Sequence, residues 1–262
     1  ILDSSSDGGS GNSLTVQNVN VSNANGQTAI DLSDSDLSFS SLTISDLEFN
    51  TVNDGVDIGN LLSSPSQLEV TNVVGDDIAG GSAAIALGDS NARDAVVRNV
   101  TFTQMGGVNA VSITAADSTA TANVSNIDVS GVSGSDSGTV VDIAADAQAG
   151  VIDDVTADNV SQVVAISSSS LDQAGSTLDV SNIVGSDLGD GSDDINLNSR
   201  ARDITVNAVD IDGAADGNSG ESVLDVENTE GDPASSVQIS NVTINNTASS
   251  GVAVSSITGP LG

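Results

Sequence analysis

The chain has 262 residues and a formal net charge of −33, because 37 acidic residues face four arginines and there is no lysine or histidine. Such a field repels phosphate backbones and anionic lipid headgroups, so nucleic acid and charged membrane surfaces are poor partners. With no cysteine, tryptophan or tyrosine and only three phenylalanines, the chain has no disulfide staples and none of the aromatic bulk of an ordinary globular core.

Residues 1–13, opening ILDSSSDGGSGN, are polar and Gly/Ser-rich behind two apolar residues. That composition predicts a flexible arm, with Ile1 and Leu2 available as a clasp on a neighbouring subunit. Residues 14–262 then read as one domain. From Leu14 to Ala24 the sequence is LTVQNVNVSNA. Counting Leu14 as position 0, apolar or small residues fall at 0, 2, 5, 7 and 10, and Asn18 sits at 4. The frame restarts without gaps at Leu42, Leu68, Ala95, Ala122, Gly150, Leu178, Ile204 and Val237. Position 4 is Asn or Asp in every copy except at Ala208. A repeat of about this length marks a solenoid, in which each copy is one unit stacked on its neighbours.

Within each copy, alternation at 0 and 2 and again at 5 and 7 predicts two short strands with one buried face. The Asn or Asp between them predicts a bend, since these residues tolerate left-handed backbone. A third alternating pair follows in each copy, from Ile30 and Leu32 in the first to Val252 and Val254 in the last. Three strands per coil and about nine coils are therefore expected, with an asparagine ladder along one corner. Phe49 and Phe102 share position 7 with Gly75 and Gly185, which predicts large-against-small packing along that column.

The coil length, the short strands and the asparagine corner, spanning Leu14 to about Val254, resemble the right-handed parallel β-helix of the pectin-lyase-like superfamily. The resemblance implies an all-β, single parallel β-helix of the extracellular or cell-surface type. It does not by itself imply an activity, because this scaffold hosts enzymes, adhesins and fibres. Right-handed winding is also what parallel crossovers favour.

The Asp-rich connections carry the candidate cation ligands. Carboxylates alternating with glycine suit Ca²⁺, and the best cluster is Asp187, Asp190, Asp193 and Asp194. A second comprises Asp210, Asp212 and Asp216 with Glu221, but Ala214 and Ala215 interrupt the spacing of a helix–loop–helix calcium site. Asn20, Asn123, Asn159 and Asn245 lie in N-x-S/T sequons and are candidate glycan acceptors.

A polysaccharide lyase or hydrolase is the first enzyme the resemblance suggests. Lyases of that superfamily draw on a basic residue, and this chain has no lysine or histidine. Carboxylate pairs such as Asp153 and Asp154 exist, but no aromatic platform for a sugar accompanies them. The expectation is a non-enzymatic, self-assembling subunit of an extracellular filament or surface fibre, its partner being another copy of itself. The alternative is one β-helical segment of a larger cell-surface adhesin. No amphipathic capping helix is readable at either end, which favours head-to-tail stacking. The acidic surface suits high salt or bound divalent cations.

Overall fold

The computed structural model describes residues 13–33, 40–59, 66–81, 83–88, 92–114, 121–131, 138–145, 147–167, 171, 175–189, 193–213, 222–228, 236–247 and 250–255. These contain strands and no helix. The strands are β1 (Ser13–Leu32), β2 (Ser41–Ile58), β3 (Ser66–Ile78), β4 (Ala83–Leu87), β5 (Ala92–Met105), β6 (Asn109–Ile113), β7 (Thr121–Ser130) and β8 (Thr139–Ile143). They continue with β9 (Ala149–Asp158), β10 (Gln162–Ile166), β11 (Thr177–Ser186), β12 (Ile195–Ser199), β13 (Asp203–Asp212), β14 (Ser222–Asn228), β15 (Ser236–Asn245) and β16 (Ser250–Ser255).

All pairings are parallel, and they join equivalent positions of consecutive frame copies. Val16 aligns with Ile44, Ile44 with Val70, and Val70 with Val97. The column continues through Val124, Ile152, Val180, Val206 and Ile239. The chain is thus a single parallel β-solenoid. Nine frame copies stack, but the first and last are covered on one side only, so about seven turns are packed on both faces. The structure thus has about seven turns, slightly fewer than the expected nine or so coils. Between the two half-covered ends the inward side chains form one continuous buried core of Val, Ile, Leu and Ala.

Position 4 bends the single strand of each frame into the two short arms that the alternation predicted. From Asn18 to Asn241 its φ lies between 53° and 58°, including 55° at Ala208. The residue drops out of the ladder, so pairing passes from Gln17–Ser45 to Val19–Leu47 with nothing between. Left-handed backbone turns the chain there, and Asn and Asp tolerate it at lowest cost after glycine. A second left-handed corner, which the sequence reading missed, recurs at position 9. It is formed by Asn23, Thr51, Asp77, Gln104, Gly131, Asn159, Asp187, Gly213 and Asn246. There the position-9 N–H donates to the position-8 carbonyl of the next coil, as from Asn159 to Ser186 at 3.0 Å and from Asp187 to Asp212 at 3.1 Å. The third arm of each coil stacks separately, from the end of β1 through β2, β4, β6, β8, β10, β12 and β14 to β16.

The position-7 column packs as expected. Phe49 and Phe102 meet at a ring-centroid distance of 5.8 Å although a whole coil lies between them. Gly75 supplies the space, since a β-carbon there would approach Phe49 Cε2 to 2.5 Å and Phe102 Cδ1 to 2.8 Å.

Candidate functional site

The outward columns carry the polar chemistry. At the position-4 corner, Asn72 Nδ2 donates to Asp46 Oδ1 at 2.9 Å, Asn99 to Asn72 at 2.9 Å and Asn126 to Asn99 at 2.8 Å. Each amide donates to the coil before it, so the ladder has a direction. It stops at Asp154, because a carboxylate has no N–H to pass on. Beyond that break Asn182 Nδ2 donates instead to Asp153 Oδ1 at 2.8 Å, and Ser181 Oγ donates to the same oxygen at 2.7 Å. Asp153 is therefore engaged by the next coil, while Asp154 forms the exposed corner.

Position 8 forms a second polar column. Asp76 accepts from Asn50 Nδ2 of the coil before it at 3.0 Å, and from Thr103 Oγ1 and Gln104 Nε2 of the coil after it at 2.6 and 3.1 Å. Asp158 accepts from Ser186 Oγ at 2.6 Å, and Asp212 from Asn246 Nδ2 at 2.6 Å. Carboxylates thus alternate with donors along the stack, which holds like charges apart. Arg98 forms an ion pair with Glu69 of the preceding coil.

The candidate cation ligands divide between several roles. Asp187 forms a position-9 corner, and Asp210 and Asp212 project outward from β13, both exposed. Asp193 is tied into the scaffold. Its Oδ1 accepts from the Ser222 N–H at 2.6 Å, and its carbonyl accepts from Gln162 Nε2 at 2.6 Å. Asp194 is buried, with its carbonyl accepting from the N–H groups of Val163 and Val164. Asp190, Asp216 and Glu221 lie outside the described residues. Among the described residues, no group of three or more acidic side chains converges to hold a metal ion. Of the sequon asparagines, Asn20, Asn159 and Asn245 are exposed and Asn123 is half-buried, and Asn20 Nδ2 already donates to Glu48 at 2.8 Å.

A groove of about 280 Å³ opens on the third-arm face, lined by Asp142, Gln162, Ala165, Ile166, Ser167, Asn196 and Asn198. Asp142, Ala165 and Asn196 share one register column, so the small Ala165 leaves a slot between two larger polar side chains. Hydrogen bonds run along this face. Asn109 Nδ2 donates to Asp142 Oδ2 at 3.0 Å, and Thr139 Oγ1 donates to Gln162 Oε1 at 3.0 Å. Burial pushes the Asp142 carboxyl above its ordinary value of 3.8. Asp225 is raised as well, first by burial and then by the charges of Asp193 and Glu227. Sequence reading did not find this groove, because it depends on neighbours two coils apart.

No family model, no curated protein and no solved structure matches the chain. The fold rests on the register itself.

Proposed function

We propose that the chain is a structural, non-enzymatic subunit of an extracellular filament or surface fibre that stacks head to tail. The observation that supports this most is the state of the two ends. Among the described residues, β1 is paired only through β2, and β15 and β16 only through β13 and β14. Val252 and Val254 are 46% and 44% exposed, whereas Leu224 and Val226, one coil earlier in the same columns, are buried. At the other end Leu14, Val19 and Val21 are only partly covered. Open strand edges attract further strands, and contact between unlike ends builds an open polymer.

The composition supports a non-enzymatic role, since without Lys, His or Cys the acid–base groups left are mostly carboxylates. It also suggests that salt or Ca²⁺ neutralises the acidic surface during assembly, with Asp187, Asp210 and Asp212 among the exposed carboxylates available.

Electron microscopy and light scattering in molar salt, with Ca²⁺ or with EDTA, test this. Nine coils at roughly 4.8 Å each predict an axial repeat of about 43 Å. A monodisperse monomer at high protein concentration in molar salt and millimolar Ca²⁺ would overturn the filament and favour a segment of a larger adhesin. Assembly at low salt that ignores EDTA would remove calcium from the proposal.

A further inference from the structure

We infer that the first and last frame copies are the two halves of one in-register junction between copies of this chain. The inference rests on the filament reading and specifies its interface.

The observation behind it is where the charges are missing. Residues 13–23 and 236–246, the first and last frames, contain no acidic or basic residue. In the same window, from one residue before each frame start to position 9, every internal copy carries at least one acid, among them Asp46, Asp76, Asp94, Asp128, Asp158, Asp179 and Asp203. The two longest uncharged stretches of the chain, 8–30 and 233–262, contain these end frames. Exposed edge strands are ordinarily protected by charge against pairing with another chain. Here a chain with 37 acids keeps the first two arms of both end coils, which carry the open edges among the described residues, free of charge. Such a pattern suits two surfaces that meet at coil spacing, roughly 4.8 Å, where like charges repel most.

The internal register then sets the junction. Val237 of one copy stacks on Leu14 of the next, and Ile239 on Val16, so the buried columns run on. In the outward columns Gln238 meets Thr15, Ser240 meets Gln17 and Thr243 meets Asn20. On the third arm Ala253 meets Asp31, so no acid faces an acid. The corner ladder keeps its direction, with Asn18 of the added copy donating to Asn241.

The test introduces charge at exposed end positions and measures the critical concentration for assembly by light scattering in about 0.15 M salt, a screening length of about 8 Å. N20D with T243D places two carboxylates in one junction column. N20D with Q238D places the same charges in different columns. The same-column pair should raise the critical concentration about fivefold beyond the product of its two single substitutions. The different-column pair should simply multiply. N20D with T243K should assemble better than N20D alone, and molar salt should erase all these differences. Circular dichroism verifies that each variant is folded. If filaments form but the two acidic pairs behave alike, the register is wrong and the filament reading stands. If the native chain does not polymerise, the filament reading itself falls.

Discussion

Asp31 and Asp57 occupy the same register position on consecutive coils, and among the described residues they are the only two acids that face each other across a coil step. At every other paired position an acid meets a hydroxyl, an amide or an apolar side chain, although Asp193 acts on Asp225 from outside the ladder. Asp31 is stabilised as a carboxylate by the Ser33 hydroxyl at 2.6 Å and the Ser33 N–H at 3.0 Å, which hold it below its ordinary value of 3.8. A lowered folded pKa means that this stabilisation is present above 3.8 and is lost as pH falls through the folded value.

Replacing Asp57 with Asn should therefore stabilise the fold at low salt, by up to about 1 kcal/mol for removal of one facing like charge. Thermal melts in 10 mM and 1 M NaCl measure it. The gain should disappear in 1 M NaCl, where screening shortens to about 3 Å. A gain that persists at high salt would point to packing instead of charge.

Ala208 occupies the position-4 corner at φ 55° without the side chain that suits it. A left-handed alanine costs roughly 1–2 kcal/mol, and asparagine relieves part of that. Ala208→Asn should raise stability by about 1 kcal/mol in urea unfolding. Asn126→Ala should lower it by a similar amount, through the same strain plus the lost bond to Asn99. Asn126 is exposed, so no burial penalty adds to that loss. Equal stabilities for native protein and both variants would contradict the strain assignment.

Gly75→Ala should destabilise by about 1–3 kcal/mol, because the new methyl group must displace Phe49 or Phe102. Adding Phe49→Leu should recover much of the loss, and denaturant midpoints for the single and double variants give the comparison. Ile127→Asp should be far worse, placing an unpaired charge in a column where Ile127 is buried. A cooperative melt near the native temperature for Ile127→Asp would be incompatible with the register.

Asp142 offers a pH signature of the opposite sign to Asp31. Its folded pKa is raised by burial, so above 3.8 the folded state holds the proton more tightly than the unfolded chain. Stability therefore falls as pH rises through the interval from 3.8 to the folded value. Asp142→Asn should raise the melting temperature at pH 7 and lose that advantage below pH 3.8, while Asn109 keeps an acceptor at this position. A difference that does not change with pH would remove the burial argument.

Much of this architecture was legible because a solenoid turns sequence period into tertiary register. Val16, Ile44 and Val70 touch because they occupy the same place in successive frames, so reading the period amounted to reading the contacts. The position-4 corner was visible for the same reason, since Asn and Asp mark left-handed backbone directly. The position-9 corner carries the same signal at seven of its nine residues, all Asn, Asp or Gly, and lacks it only at Thr51 and Gln104. There the pairing on either side imposes the turn, and the local sequence only tolerates it. Likewise composition located the acids, but only the folded coils decided their partners. Asp153, not Asp154, receives Asn182, and Asp193 ties down Ser222. The groove beside Ala165 needed Asp142 and Asn196 brought two coils apart in one column. Periodicity determines which positions stack, whereas hydrogen-bond direction and local side-chain volume act between particular neighbours and are settled only when the coils meet.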